Sequence, residues 1–515
     1  MTRVGNGGRW GRPDNIAVRG ALAPVAFSFT VARLGAIQPV LNLPIRQPAK
    51  LDHFVSAPSL LAPRITVAKG SSSAAGDIFL APLPSPEIHP QSNNALTIHP
   101  VGPGGPMIID GHGNLVWFDQ LAPPMVAANF RLQSFGGHKM LTWWQGGVTP
   151  SAFGIGEGVI AGSSYRTLRT VRTGNGYAAD VHEFSITRAG DALFTVYSPV
   201  LVHLAGTAPG ALSPLLDSIV QEVDIRTGLV VWEWHALGHI ALRDSYATPG
   251  TSADFDAFHL NSIQTLPDDR LLVSARDTSA VYDIDRASGR IIWTLGGKAS
   301  TFRLGPGARF WFQHDAQLLP GGRVSLFDDE GAPPFEAPSS RGLILVLDPH
   351  ARTARVVHQY FRPGRNTQAE SEGSLQTLPG GNLFVGWGST PFFSEFSPGG
   401  RLVLDARLPI DDGSYRVFRF PWSATPCTRP VAAARSTSAS RISIYAAWNG
   451  ATTVARWRVL AGRSAASLAA VATVPRRGFE TRIDVTNAAS SFEVQALSSR
   501  GRVLAASSPV PVSLG

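Results

Sequence analysis

Gly289-Arg-Ile-Ile-Trp293 has close counterparts in Gly228-Leu-Val-Val-Trp232 and Gly113-Asn-Leu-Val-Trp117, and weaker ones start at Ala354 and Gly400. Each is a turn glycine followed by a short apolar strand. The first interval is about twice the others, which predicts a degenerate copy near Ser164 to Thr173 and six units with a period of about 57 residues. A second element recurs in step with the first: Gly136-Gly-His-Lys-Met-Leu, Gly190-Asp-Ala-Leu-Phe, Asp268-Asp-Arg-Leu-Leu, Gly321-Gly-Arg-Val-Ser and Gly380-Gly-Asn-Leu-Phe. Each reads as a hairpin turn leading into a strand. Repeats of short strands and tight turns at this period predict an all-β chain built as a six-bladed β-propeller over 51–428, with seven blades as the competing count.

Past Pro430 the pattern changes. Ile442 to Trp448, Ala455 to Leu460, Glu480 to Val485 and Phe492 to Ala496 are evenly spaced strands without the blade motif. They predict a small fibronectin type III-like β-sandwich over 429–515, with Trp448 and Trp457 in its core and Ser499-Arg-Gly-Arg502 as its last hairpin turn.

Composition agrees with this division. The chain has 515 residues, 44% hydrophobic and 16% charged, with 52 Gly and 39 Pro punctuating the apolar runs, which argues against a helical bundle or a doubly wound α/β fold. Its one cysteine, Cys427, cannot form an intramolecular disulfide, and no Cys/His spacing suits zinc, so the core must be hydrophobic. The net charge of +8 is arginine scattered along the chain rather than a basic run, so no nucleic-acid partner is expected. Residues 1–50 read as a leader: Arg3, Arg9, Arg12 and Arg19 precede the apolar Ala21 to Thr30, as in a signal peptide with a long basic start, so export to the cell surface or medium is the expectation. No apolar run is long enough to span a membrane. Gly154-Ile-Gly156-Glu-Gly158 superficially suggests a phosphate loop but lacks the lysine and the strand-to-helix setting.

Three hairpins are entered by a histidine at nearly one phase. His182, His259 and His314 precede Gly190, Asp268 and Gly321 by eight, nine and seven residues. Equivalent positions in successive blades surround the axis, so the three imidazoles are predicted to converge on a channel mouth. Arg276 ends the strand that follows His259, and Trp144, Tyr197 and Trp387 hold the matching positions elsewhere. Imidazoles, a guanidinium and aromatic walls suit a flat aromatic anion.

These residues resemble the arylsulfotransferases, a family of six-bladed propellers that move a sulfuryl group between phenols without a nucleotide donor. The resemblance covers roughly Phe54 to Leu408. It runs through Pro106-Met-Ile-Ile-Asp110, Phe258-His-Leu-Asn-Ser-Ile263, Ser274-Ala-Arg276, Ile292-Trp-Thr-Leu-Gly-Gly297, Phe312-Gln-His-Asp315 and Gly386-Trp-Gly388, and the stretch from His259 to Asp315 is its specific part. It implies that His314 is the nucleophile and that His259, Arg276 and His182 complete the catalytic set. The implied substrates are an aryl sulfate donor and a phenolic acceptor, with no metal or organic cofactor. The chain lacks the family's paired cysteines near the C-terminus and carries the extra sandwich instead.

The chemistry stands independently of the resemblance. A neutral imidazole can attack sulfur and expel a phenolate, leaving an N-sulfohistidine for a second phenol to attack. Arg276, His259 and His182 would hold the peripheral oxygens, and one of the histidines would handle the phenolic proton. Arg276 close to His314 would lower its pKa and keep it neutral. Asn261 would orient His259 or bind a sulfuryl oxygen, and Asp315 is a candidate to hold an imidazole tautomer, unless it points away as the residue after a strand histidine does. Two other readings remain at this stage: a non-catalytic cell-surface binding module, and a quinoprotein-like enzyme, which Asp224 to Trp232 and Asp285 to Trp293 resemble in texture.

Overall fold

In the computed structural model, residues 50–514 are described apart from 71–73, 85, 88–96, 99–101, 150–152, 205–209, 250–254, 333–334, 411, 439–440 and 487–488. The basic start and the Ala21 to Thr30 stretch lie outside the described residues. Among the described residues there is no α-helix, and no helix is long and apolar enough to cross a membrane.

Six sheets, each with four antiparallel strands at its heart, follow one another as blades, and the second and fourth each gain a short parallel strand, Phe255–Asp256 and Arg303–Leu304. Blade I holds Val126–Phe135, His138–Val148, Gly154–Ala161 and Thr167–Val171; blade II holds Phe184–Ile186, Asp191–Val202, Ser213–Asp224 and Val230–His235. Blade III holds Leu260–Leu266, Arg270–Ala275, Ala280–Asp285 and Ile291–Gly296; blade IV holds His314–Leu319, Arg323–Asp328, Arg341–Asp348 and Thr353–Tyr360. Blade V holds Ser374–Thr377, Leu383–Gly386, Phe392–Phe396 and Leu402–Arg407. Blade VI is composite: its inner strand Phe418–Phe420 comes from beyond blade V, while Asp77–Leu80, Met107–Ile109 and Leu115–Phe118 come from before blade I. Thr66–Gly70 adds a fifth strand to the outer edge of blade V, so both ends of the propeller segment are tied into the ring.

This arrangement accounts for the two sequence repeats. The six turn-and-Trp copies, including the degenerate one at Ser164 to Thr173, are the six outer strands. There are only five hairpin copies because blade VI has no inner hairpin: its two innermost strands are joined by ring closure. Apolar side chains fill the spaces between blades, with Phe184, Phe194 and Trp144 fully buried between blades I and II. Gly154 and Gly156 exist to admit Trp144, since a Cβ on either would come within 2.5 and 2.6 Å of its indole. The glycine-rich stretch is therefore a packing device.

Glutamines staple alternate blade interfaces at the start of each hairpin. Gln133 accepts from Ile186 N (2.8 Å) and donates to Phe184 O (3.1 Å), joining I to II. Gln264 pairs with both backbone groups of Leu318 (2.6 and 3.2 Å), joining III to IV. Gln376 does the same with Arg419 (2.7 and 3.1 Å), joining V to the closing strand. Gln376→Leu, which leaves two backbone groups unpaired, is expected to cost about 1–3 kcal/mol of stability. Denaturant unfolding of the variant checks this; an unchanged midpoint would show that water replaces the amide.

Residues Val431–Leu514 form one eight-stranded sheet. Val431–Ser436, Arg441–Ala447 and Glu480–Thr486 make one group, and Ala469–Pro475, Arg456–Gly462, Ser491–Leu497 and Val503–Ala506 the other. Val510–Leu514 pairs parallel with the first and antiparallel with the second, so a single path replaces the expected pair of separate sheets. The four strands expected here are present, Trp448 and Trp457 lie in the core, and residues 498–502 form the expected turn. This unit docks on blade VI, where Asn449 exchanges both amide groups with the Phe118 backbone (3.0 and 2.8 Å) and protects that blade's outer edge.

Candidate active site

All five inner strands that begin a hairpin start at the same end of the channel, so the residues just before or at their starts meet there. The inner strands of blades III and IV are irregular at this point, with register breaks at Leu260/Ser262 and His314/Gln317. His259 itself has a left-handed backbone (φ 55°), as do Phe312 (57°) and Asp315 (51°). Non-glycine residues held in that region mark places where the surrounding structure dictates the conformation.

The structure brings His182, His259 and His314 together, each against its own carboxylate. His182 Nδ1 lies 2.6 Å from Asp180 Oδ2, His259 Nδ1 2.6 Å from Asp256 Oδ2, and His314 Nδ1 2.8 Å from Asp329 Oδ2. The Nε2 atoms of His182 and His259 are 3.0 Å apart. With both Nδ1 atoms facing carboxylates, that contact requires one proton between the two rings, so the pair carries a single positive charge. Burial pulls both imidazoles down; for His259 the Asp256 carboxylate outweighs it and holds the pKa above the ordinary value, whereas His182 stays below. His259 is accordingly the charged partner and donates to His182.

His314 is different. It is 1% exposed, and its Nε2 accepts the Glu372 backbone N–H (3.2 Å). The proton is thus on Nδ1, directed at Asp329, and Nε2 carries the lone pair. Burial, followed by the positive charges of Arg276, His182 and His259, drives its pKa well below the ordinary value. Arg276 is fixed at two points, by Asp277 Oδ1 (2.7 Å) and Glu370 O (3.0 Å), with its guanidinium over the Phe312 ring at 4.8 Å. Tyr197 lies against both members of the histidine pair, with ring centroids at 5.4 and 5.5 Å, and stacks on Phe153 from behind.

Other expected site residues lie elsewhere. Trp144 and Trp387 are fully buried inside the blades, donating to Ala179 O (3.0 Å) and Ser394 Oγ (2.9 Å), and cannot form walls of a mouth. They share a strand phase with Arg276 but face the inter-blade cores. Asn261 is also fully buried and donates to Gln313 O (2.7 Å) in the next blade, so it neither orients His259 nor reaches a sulfuryl oxygen. Asp315 points away from the imidazoles, accepting from Leu375 N (3.1 Å) and lying 3.7 Å from Arg416. The partner of His314 is Asp329, at the end of the hairpin's second strand. A half-buried aromatic pair, Tyr246 with Trp311, is tied to the site's flank, their backbone amides bonding Asp277 O and Asp328 Oδ1.

Sequence reasoning missed the three carboxylates, the loop ahead of blade V, and Tyr415, whose ring lies edge-on to His182 (5.6 Å) and His314 (6.2 Å). Asp180 and Asp256 were within three residues of their histidines and could have been found by asking what orients each imidazole; Asp329 is fifteen residues from His314 and required the hairpin register. Asp256, His259 and Asp277 present ligand atoms within 4.8 Å of one another, the one such group among the described residues. A metal ion there would have to displace the His259 proton and the Arg276 guanidinium that already neutralise the two carboxylates.

Behind the histidines the channel is closed by buried ions. Arg416, fully buried, donates to Glu183 Oε2 (3.0 Å) and Asn261 O (2.7 Å), and Arg131 binds the other oxygen of Glu183. Beyond this plug a cavity of about 850 Å³ opens at the opposite end, lined by Arg131, Gln133, Gln264, Gln317 and Gln376.

The arylsulfotransferase (ASST) family pattern matches residues 131–408, which contain every one of these histidines and Arg276. The chain belongs to the arylsulfotransferase family. No curated protein matches this arylsulfotransferase. Among solved structures it is similar to a periplasmic gluconolactonase of Pseudomonas aeruginosa, at 14% identity over 66% of this chain and 99% of that one, TM-score 0.35. It is also similar to an exo-beta-1,3-galactanase of Phanerochaete chrysosporium, at 9% identity over 77% and 98%, TM-score 0.32. Likeness this remote carries no argument; the blade count rests on the strand pairing itself.

Proposed function

We propose that the protein transfers a sulfuryl group from an aryl sulfate to a phenolic acceptor in two half-reactions through a sulfohistidine at His314. The observation that carries this reading is the fixed tautomer of His314, with Nδ1–H on Asp329 and an unprotonated Nε2. In the first half-reaction Nε2 gives up the Glu372 N–H and attacks sulfur; the N–S bond forms, the S–O bond breaks, and its electron pair leaves on the aryl oxygen. In the second, the acceptor oxygen attacks sulfur, the N–S pair returns to Nε2, and the phenolic proton is lost. Burial holds the Asp329 pKa well above the usual carboxylate range, and the positive charge that His314 gains while sulfated favours its ionised form. Arg276 supplies positive charge and N–H groups for the sulfuryl oxygens, and the shared-proton pair of His182 and His259 supplies a further positive charge beside them, where negative charge concentrates in the transition state.

The test is release of 4-nitrophenol from 4-nitrophenyl sulfate, with and without phenol. Phenol-dependent turnover with an initial burst on donor alone supports the two-step reading, and release without any response to acceptor contradicts it.

The pKa directions set the pH profile of the donor step. His314 must be neutral, so the rate is lost as pH falls through a value well below the usual 6.5. His259 must be charged, so the rate is lost as pH rises through a value above 6.5. The burst rate with 4-nitrophenyl sulfate is therefore expected to be flat across the ordinary histidine range, with a limb on either side; a single limb centred on that range would contradict both assignments.

A further inference from the structure

Glu372 precedes Gly380 by eight residues, the same phase at which His182 precedes Gly190. It is the blade V member of the series formed by His182, His259 and His314, and like His259 it has a left-handed backbone (φ 71°). Its position is fixed on all sides. Ser340 Oγ accepts from Ala369 N (2.7 Å), Ser371 O accepts from Ser389 N (2.9 Å), and Tyr415 O accepts from Gly373 N (3.0 Å). Gly373 (φ 102°) lies so close to Phe327 that a Cβ would come within 2.3 Å of the ring. The loop thus presses Glu372 onto the site, its own N–H on the His314 lone pair while Glu370 O holds Arg276.

Every other carboxylate at this end of the channel has a partner. Asp180, Asp256 and Asp329 each hold a histidine, and Asp277 holds Arg276. The Glu372 carboxyl has no hydrogen-bond or ion-pair partner among the described residues, and it keeps part of its surface accessible although protein surrounds it. The titratable groups that the structure relates to it are His314, which accepts its N–H, Asp329 of blade IV, Tyr415 of the segment entering the closing strand, and Glu370 beside it. Its charge is felt by Asp329 and Tyr415.

We propose that Glu372 is the catalytic acid and base of the sulfuryl transfer, an assignment that rests on the two-step reading above. In the donor step its carboxylic acid gives a proton to the departing phenolate oxygen. In the acceptor step its carboxylate takes the proton of the incoming phenol as that oxygen attacks sulfur and the N–S pair returns to His314. The two steps are one proton's journey in opposite directions, which a single group near neutrality serves in both. Burial pushes the Glu372 carboxyl up to about 7, which suits the task.

Glu372→Gln keeps the shape and the backbone contact to His314 but cannot take a proton. With 4-nitrophenyl sulfate, whose leaving anion needs no proton, the burst is expected to stay within a few-fold of wild type. Desulfation by phenol is expected to slow by about 10²-fold or more. In wild type the phenol step should rise through a limb near pH 7 as the carboxyl ionises; the variant should lack that limb, and Glu372→Asp should restore one. An unchanged phenol step and limb in the glutamine variant overturns the proposal, as does an equal loss in both steps, which is what a merely structural residue gives. Absence of phenol-dependent release from the wild-type protein is a separate result: it removes the two-step reading and the assignment with it.

Discussion

His314→Gln is expected to lower phenol-dependent release of 4-nitrophenol on the order of 10⁴-fold or more and to eliminate the burst, because the nucleophile of a two-step transfer has no substitute among its neighbours. His182 and His259 share one proton between their Nε2 atoms and face carboxylates through Nδ1, whereas the His314 lone pair is held only by the Glu372 N–H at 3.2 Å, which the donor's sulfur must displace. Glutamine can still accept the Glu372 N–H, so the loop ahead of blade V keeps its anchor. Labelling with radioactive sulfate from the donor gives the direct readout: the wild-type chain retains label until phenol is added, and the variant takes up none. A labelled variant would move the nucleophile to another residue. If instead the wild type bound aryl sulfates without ever releasing product, and His314→Gln bound them equally well, the propeller would be a binding module.

Arg416→Met is expected to cost about 3–5 kcal/mol, as breaking a buried ion pair does. The guanidinium is fully buried and joins three blades: Glu183 at the start of blade II, Asn261 of blade III and Asp315 of blade IV. Burial raises the cost of ionising Glu183, and the charges of Arg131 and Arg416 outweigh it to hold the carboxylate below its usual pKa. Methionine fills the volume but leaves the Asn261 carbonyl with only the longer bond from Tyr415 Oη (3.2 Å), and leaves Glu183 and Asp315 without the cation between them. For a propeller of this size the loss corresponds to a fall in Tm of roughly 5 °C. Calorimetry of the two proteins decides; a change under about 1 °C would show that Arg131 and water carry the network.

The architecture was legible because both repeats are turn signals followed by apolar strands, and turn chemistry is local. The apparent mismatch of six outer-strand copies with five hairpins was already a statement about closure, since only a blade assembled from distant segments lacks a hairpin. The axial histidines were legible through phase alone. Phase failed at Trp144 and Trp387 because it fixes height along the blade and not the face: Arg276, just past its strand's end, turns into the mouth, while Trp144 within its strand and Trp387 just past the end of its own both turn into the cores. Glu372 shows the opposite error. It occupies the histidine phase, but a search for matching residue type passes over a carboxylate in the same place. Asp329 and Arg416 are contacts between segments fifteen and more than a hundred residues apart, and nothing local to either announces its partner.

Blade VI takes its outer three strands from residues 77–118 and its innermost from Phe418–Phe420, and the residues just ahead of that last strand, Tyr415 and Arg416, reach across the axis to Asn261. During synthesis the early strands must therefore wait, with an open edge, until some three hundred further residues have left the ribosome. The imidazoles can be made long before this, but the floor beneath them arrives last. Turnover by a nascent or refolding chain would accordingly appear all at once with the docking of Phe418–Phe420, making catalysis itself a reporter of the final step of folding.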